Sequence, residues 1–239
     1  MPTRARPTAR STRRGLRRDP EATRRRILVA ATAEFSRYGF SGGRVDRISR
    51  AARSFDRMLY YYFRDKAGLF RAVLESTYER LWRAEEKLNL AEVAPETGMR
   101  ELVAFTWRYY VEHPEFVRLL NSENLQRGRN VRRSKRVGRL SSPFLGTLTD
   151  LLRRGEKTRV FRRGVDPVKL YIMVAALGYF YVSNRYTLSH FLNRDLMSKK
   201  NRDAWFAHIS DLVLDWLRPR AAARGRQLTG ERRMRFNPA

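Results

Sequence analysis

Apolar residues recur at helical spacing along nearly the whole chain, and no stretch of any length alternates with the two-residue period of a strand. The first pattern opens at Asp19-Pro20-Glu21. There the aspartate suits a helix cap, the proline a first turn and the glutamate the positive end of the helix dipole. Ile27, Ala31, Phe35 and Tyr38 line one face of this helix, and Gly39 is placed to end it. VDRISRAA, residues 45–52, predicts a short helix with Val45, Ile48 and Ala52 inward, and a second short helix begins near Asp56. Two short helices joined by a tight connection, after a longer one, are the arithmetic of a helix-turn-helix. A long amphipathic helix then starts at Lys66, with Phe70, Val73, Leu74, Thr77 and Leu81 as its apolar stripe, and Ala94-Pro95 breaks it.

Everything beyond reads helical as well. Segments 98–112, 115–126 and 143–158 are separated by the HPEF proline break at 113–116 and by a basic stretch at 126–139. Asp166-Pro167 starts a helix expected to run to about Leu192, and 202–217 is the last. The expected fold is all-α, a three-helix unit followed by a larger helical body. The parts are a disordered basic arm at 1–18, a helix-turn-helix domain at 19–66, a body at 67–217 and a basic tail at 218–239.

One short element carries unusual chemistry. RMLYYYF, residues 57–63, puts three tyrosines in a row behind an arginine. At ~100° per residue, Leu59, Tyr62 and Phe63 share one face, and Arg57, Tyr60 and Tyr61 share the other. The first set suits a small core. The second offers one cation and two phenols, which bond phosphate oxygens, and arginine also reads guanine.

Charge agrees with a polyanionic partner. The formal net charge is +27. Residues 1–26 hold 10 Arg against 2 acids, and 218–239 hold 7 Arg against 1. Such an imbalance attracts nucleic acid first and an anionic membrane surface second. The longest apolar run, residues 170–182, is 13 residues, short of the ~18–20 a bilayer needs. No membrane association is therefore expected. The arm lacks the apolar stretch of a secretory signal. There is no cysteine, and His113, His190 and His208 have no metal-ligand spacing, so neither metal nor cofactor is expected. No Ser-His-Asp arrangement, paired carboxylates or glycine-rich phosphate loop suggests an enzyme, and no catalytic residue is assigned.

TRRRILVAATAEFSRYGF, RVDRISRAA and RMLYYYFRDKAGLFRAVLE together resemble the DNA-binding domain of the tetracycline-repressor (TetR/AcrR) family, over residues 21–81 and without a gap. The remainder, with HPEF and YFYVSNRYTLSHFL, resembles the C-terminal domains of a subgroup that includes nicotinate-degradation repressors. The resemblance implies a one-component regulator, a repressor that binds double-stranded DNA as a homodimer at a palindromic operator and releases it on binding a ligand. It implies a cytoplasmic, nucleoid-associated protein. Its DNA-contacting positions fall on Arg44, Arg57, Met58, Tyr60, Tyr61 and Lys66. Lys66 would grip a phosphate with help from the amide groups at its helix N-terminus. Arg53 and Phe55 join this set with departures from the pattern. Arg53 stands where the family has a glycine, at a cost of roughly 1 kcal/mol if the turn stays left-handed. Ser54 and Phe55 exchange the usual apolar and polar positions, and Asp56 is expected to cap its helix.

In the body, the resemblance implies dimerisation through 167–192 and 202–217, with Leu170, Met173, Leu177, Trp205, Ile209, Leu212 and Trp216 as candidates. The same residues would equally serve as monomer core. A pocket for a small aromatic or apolar effector would be lined by Trp107, Tyr110, Phe116, Phe144, Tyr171 and Tyr179. The alternative, from another class, is a general nucleic-acid-binding or architectural protein driven by its arginine-rich tails. The run 127–139, with seven basic residues and no acid, reads as a surface loop of the body.

Overall fold

The computed structural model describes residues 19–140 and 142–219, and side chains outside 139–144. The arm at 1–18 and the tail from 220 lie outside the described residues. Among those described there are eleven α-helices and no strand. They form two compact units. One takes in the described residues up to Ser76 together with Arg118–Ser134. The other takes in Thr77–Val117 and the described residues from Lys135 onward.

In the first unit, α1 (Pro20–Gly42) starts as its sequence dictates. Asp19 accepts from the Ala22 amide at 3.1 Å, with Pro20 in the first turn. Regular helix stops at Gly39, whose φ of 67° is open to glycine at little cost. α2 (Val45–Ala51) and α3 (Asp56–Phe63) follow, and then α4 (Lys66–Glu85). The core is Ile27, Ala31 and Phe35 of α1, Ile48 of α2, Leu59 and Phe63 of α3, and Leu69, Phe70, Val73 and Leu74 of α4. Phe70 meets Phe35 edge-on at 5.1 Å and Phe40 at 5.2 Å, an arrangement aromatic pairs favour. Gly68 lets α4 start tightly against α3, since a Cβ there would stand 2.1 Å from the Phe63 carbonyl oxygen.

The second unit is organised around α5 (Pro95–Glu112), whose Met99, Leu102, Val103, Trp107, Tyr109 and Tyr110 are all buried. It packs against α8 (Ser142–Lys157), α9 (Pro167–Ser183) and α11 (Lys199–Leu217). α6 (Pro114–Leu125) and α7 (Lys135–Leu140) lie between α5 and α8 in sequence. The Arg154 guanidinium donates to the carbonyls of Leu90 and Val93, both at 2.6 Å, and fixes the approach to α5.

One boundary differs from expectation. The helix expected over 167–192 is two helices, α9 and α10 (Arg185–Phe191), parted at Asn184. Local side chains satisfy the end of α9. Asn184 Nδ2 donates to the Phe180 carbonyl, and Arg185 Nη1 to that of Val182, each at 2.9 Å.

Candidate nucleic-acid interface and body surfaces

α3 presents its two faces as the spacing predicts. Leu59 and Phe63 are buried, and Tyr62 is half-buried against the core. Arg57 and Tyr60 are exposed, and Tyr61 is 77% exposed. Met58 is half-buried and packs on the core rather than standing free. Phe55, at 67% exposed, lies beneath the Arg57 guanidinium, 5.2 Å from carbon to ring centre. Stacking of this kind holds the cation in place. Arg53, Phe55, Arg57, Met58, Tyr61 and Tyr62 border one open depression of 410 Å³.

The turn before α3 keeps the left-handed conformation despite lacking glycine, with φ 49° at Arg53. Asp56 does not cap α3. Phe55 occupies the cap position, no side chain bonds the free amides there, and Asp56 is the first helical residue. Its carboxylate still favours the positive end of the helix.

The flanking cations are more engaged than the sequence suggests. Arg44 caps α2 with its backbone, while its guanidinium pairs with Asp46 at 3.0 and 3.1 Å and holds that carboxyl below the usual range. Lys66 Nζ donates to the Ser41 carbonyl at 3.2 Å and lies 5.1 Å from the Phe40 ring centre. Partial burial lowers its pKa, with Glu34 opposing. One amide expected to help it hold a phosphate is occupied, because Asp65 Oδ1 accepts from the Gly68 amide at 2.6 Å.

In the second unit, three of the rings named as effector candidates meet one another, and a fourth, Trp107, meets a different ring. Tyr110 stacks on Phe116 at 6.0 Å and meets Tyr179 edge-on at 6.2 Å, and Trp107 meets Tyr181 at 5.4 Å. Trp107, Tyr110 and Phe116 are buried, and Tyr171 is 42% exposed. The side chain of Phe144 lies outside the described residues. Sequence reasoning missed Glu85, at the end of α4. One of its carboxyl oxygens is buried without a hydrogen-bond partner. Burial, with the neighbouring Glu86 adding, pushes its pKa up to about 8. Burial also raises the phenols of Tyr110 and Tyr171, and the Glu85 charge adds to both shifts. A stretch reading RAEEKL gives no sign that one of its acids turns inward.

Glu85 has a consequence for stability. Its folded pKa lies above its unfolded value, so the folded state keeps a proton that the unfolded state has already released. Stability therefore falls as pH rises from about 4.5 to about 8 and levels off above. The slope is at most ~1.4 kcal/mol per pH unit, less for screening at the partly exposed edge. Glu85→Gln should unfold with the parent at low pH and at a higher temperature by pH 9. Parallel melting curves across that range would rule this out.

The dimerisation candidates divide. Leu170 and Ile209 are buried in the unit's own core, and Met173, Leu177, Trp205 and Trp216 are half-buried. Trp205 donates its indole N–H to the Leu177 carbonyl at 3.2 Å, and Trp216 carries the Arg162 guanidinium at 3.6 Å. Leu212 is exposed. The apolar residues left in solvent on α9 include Val168, Ile172 and Phe180, the last two 58% exposed. With Ala176 they recur every four residues and form one stripe.

Comparison with known proteins agrees with this geometry. Residues 27–73 match the family model "Bacterial regulatory proteins, tetR family", and residues 95–213 match "Tetracyclin repressor-like, C-terminal domain". The HTH-type transcriptional repressor NicS of Pseudomonas putida is 47% identical over 198 residues, 83% of this chain and 93% of that one. Among solved structures, the transcriptional regulator SCO4942 of Streptomyces coelicolor aligns with a TM-score of 0.61 at 22% identity, covering 80% of this chain and 97% of that one. The regulator FadR of Bacillus subtilis, solved with stearoyl-CoA, aligns at 0.61 and 14% identity over 81% and 99% of the two chains.

Proposed function

The chain belongs to the tetR family of bacterial regulatory proteins and is a DNA-binding transcriptional repressor; from that premise we propose how it binds and is released. Two copies bind one near-palindromic operator, each through the outward face of α3. Arg57 reads a base edge from the start of that helix, and the hydroxyls of Tyr60 and Tyr61 bond phosphates. Arg53 and Phe55 flank Arg57, and Arg44 and Lys66 supply positive charge beside the helix. The observation that carries this reading is the α3 face itself: a stacked arginine and two exposed tyrosines on a helix whose other side is locked into a core.

The two copies pair through the stripe of Val168, Ile172, Ala176 and Phe180 on α9, together with Leu212 of α11. A two-fold pair places its two reading helices about one DNA turn apart. A small aromatic or apolar effector enters the cluster of Trp107, Tyr110, Phe116, Tyr171 and Tyr179 and favours the state with the lower DNA affinity. The stearoyl-CoA of the Bacillus FadR structure belongs to that protein and is not the effector proposed for this one. A DNA-binding repressor of this kind works in the cytoplasm, on the nucleoid. No helix among the described residues is long and apolar enough to cross a membrane.

The test is binding of the full chain to DNA upstream of its own gene, beside a shuffled fragment of equal composition, across a salt series. A preference for the native fragment that survives at physiological salt is expected. Equal binding that collapses with salt would favour a nonspecific, tail-driven protein instead.

A further inference from the structure

The basic run beginning at residue 127 does not start as a loop of the body, because Arg118–Ser134 belongs to the same compact unit as α1, α2 and α3. It is tied to that unit at several points. Leu119 is fully buried in the unit's core, and Val131 packs against it. Ser122 Oγ accepts from the Phe40 amide at 2.8 Å, and Gln126 Nε2 reaches Ser41 Oγ at 3.5 Å. Ser134 Oγ donates to Glu75 of α4 at 2.6 Å.

A buried carboxylate holds the loop's shape. Glu123, 5% exposed, accepts from the amides of Asn130 at 2.7 Å and Val131 at 2.9 Å, and from the Asn130 side chain at 2.9 Å. Arg127 and Gly128 are both left-handed, with φ 54° and 68°, and make the reversal that Glu123 closes. The result is a defined turn with four arginines on its outside.

No carboxylate among the described residues neutralises those arginines. Arg127, Arg129, Arg132 and Arg133 are exposed, and none forms an ion pair there. Some exposed arginines elsewhere do pair, Arg136 with Glu79, Arg153 with Asp150 and Arg44 with Asp46. Four like charges on one short turn repel one another, and an anion that meets them relieves this repulsion. The turn also starts from a telling place. Gln126 contacts Ser41, whose carbonyl receives Lys66 Nζ, and Ser41 lies three residues before Arg44. The turn thus starts beside the edge of the unit that carries Lys66.

We infer that the arginine turn 127–133 is a second DNA-contacting surface, which grips phosphates flanking the base pairs read by α3. It reads no bases. It lengthens the footprint and steepens the salt dependence, since each phosphate neutralised contributes about 0.9 to the slope of log K against log salt.

The inference rests on the DNA-binding reading, and one experiment separates the two. The full chain is titrated with two duplexes, one ending at the outermost base pairs read by α3 in each half-site and one with about ten further base pairs on each side, each beside a shuffled duplex of equal length. The parent should bind the long duplex at least ~10-fold more tightly at physiological salt. The variant carrying Arg127→Gln, Arg129→Gln, Arg132→Gln and Arg133→Gln should bind both alike, with a salt slope shallower by ~2 or more on the long duplex. No preference for operator over shuffled DNA sets aside the DNA-binding reading. Specific binding with the same length dependence and slope in parent and variant overturns only the loop.

If the variant loses the short duplex too, a tethered probe decides. The chain has no cysteine, so Arg132→Cys accepts a single iron–EDTA group while the other three arginines remain. Strand cleavage in the flanks, outside the bases protected by α3, is the expected result. Absence of cleavage in the flanks overturns the inference.

Discussion

Arg57→Ala in the full chain should weaken binding to the operator by roughly two orders of magnitude or more while leaving binding to shuffled DNA nearly unchanged. A good bidentate contact from arginine to a base edge discriminates by about 1–3 kcal/mol, and a two-fold complex contains two copies of it. Arg57 stands at the start of α3, exposed, with its guanidinium over the Phe55 ring. Nothing in the core depends on it, so the variant should melt with the parent. If the Tyr60 and Tyr61 hydroxyls bond phosphates as proposed, Tyr60→Phe and Tyr61→Phe remove those contacts and no base contact. They should weaken native and shuffled fragments alike, each by a factor of a few. Competition titrations with the two fragments check both halves. Equal losses on the two fragments for Arg57→Ala would move Arg57 from base reading to backbone contact.

The second large effect concerns the pair. Phe180→Glu should leave the chain folded and monomeric. Phe180 is exposed in the single chain, so a carboxylate there costs the monomer little. In a dimer seam the same charge must be buried without a partner, which costs several kcal/mol and weakens pairing by ~1,000-fold or more. Light scattering should find one mass where the parent shows twice that mass. Operator binding should fall with it, because the second half-site is no longer tethered to the first. Leu170 is the wrong residue for this test. It lies on the same helix but is fully buried, so replacing it would disturb the unit's own core rather than the pair.

The α3 face was legible in the sequence because it is local. Seven residues at ~100° each suffice to separate Leu59 and Phe63 from Arg57, Tyr60 and Tyr61. The caps at Asp19 and Asp166 were legible for the same reason, each followed by proline at the first helical position. The break at Asn184 was not. No glycine or proline marks it, and it depends on Asn184 and Arg185 reaching back to carbonyls of α9. The spacing of Leu170 and Ile209 showed that they are inward, but not whether inward meant core or partner. Glu85 and the arginine turn needed long-range packing. A buried carboxylate and a loop returned to the first unit through Leu119 and Val131 leave no mark in local periodicity.

Hydroxyl-radical footprinting of the full chain on the DNA it prefers tests the central claim most directly. Two protected half-sites related by a dyad, centred about 34–36 Å apart along the helix, are expected for a pair of α3 helices in successive major grooves. Weak, uniform protection along the whole fragment would contradict operator recognition through α3.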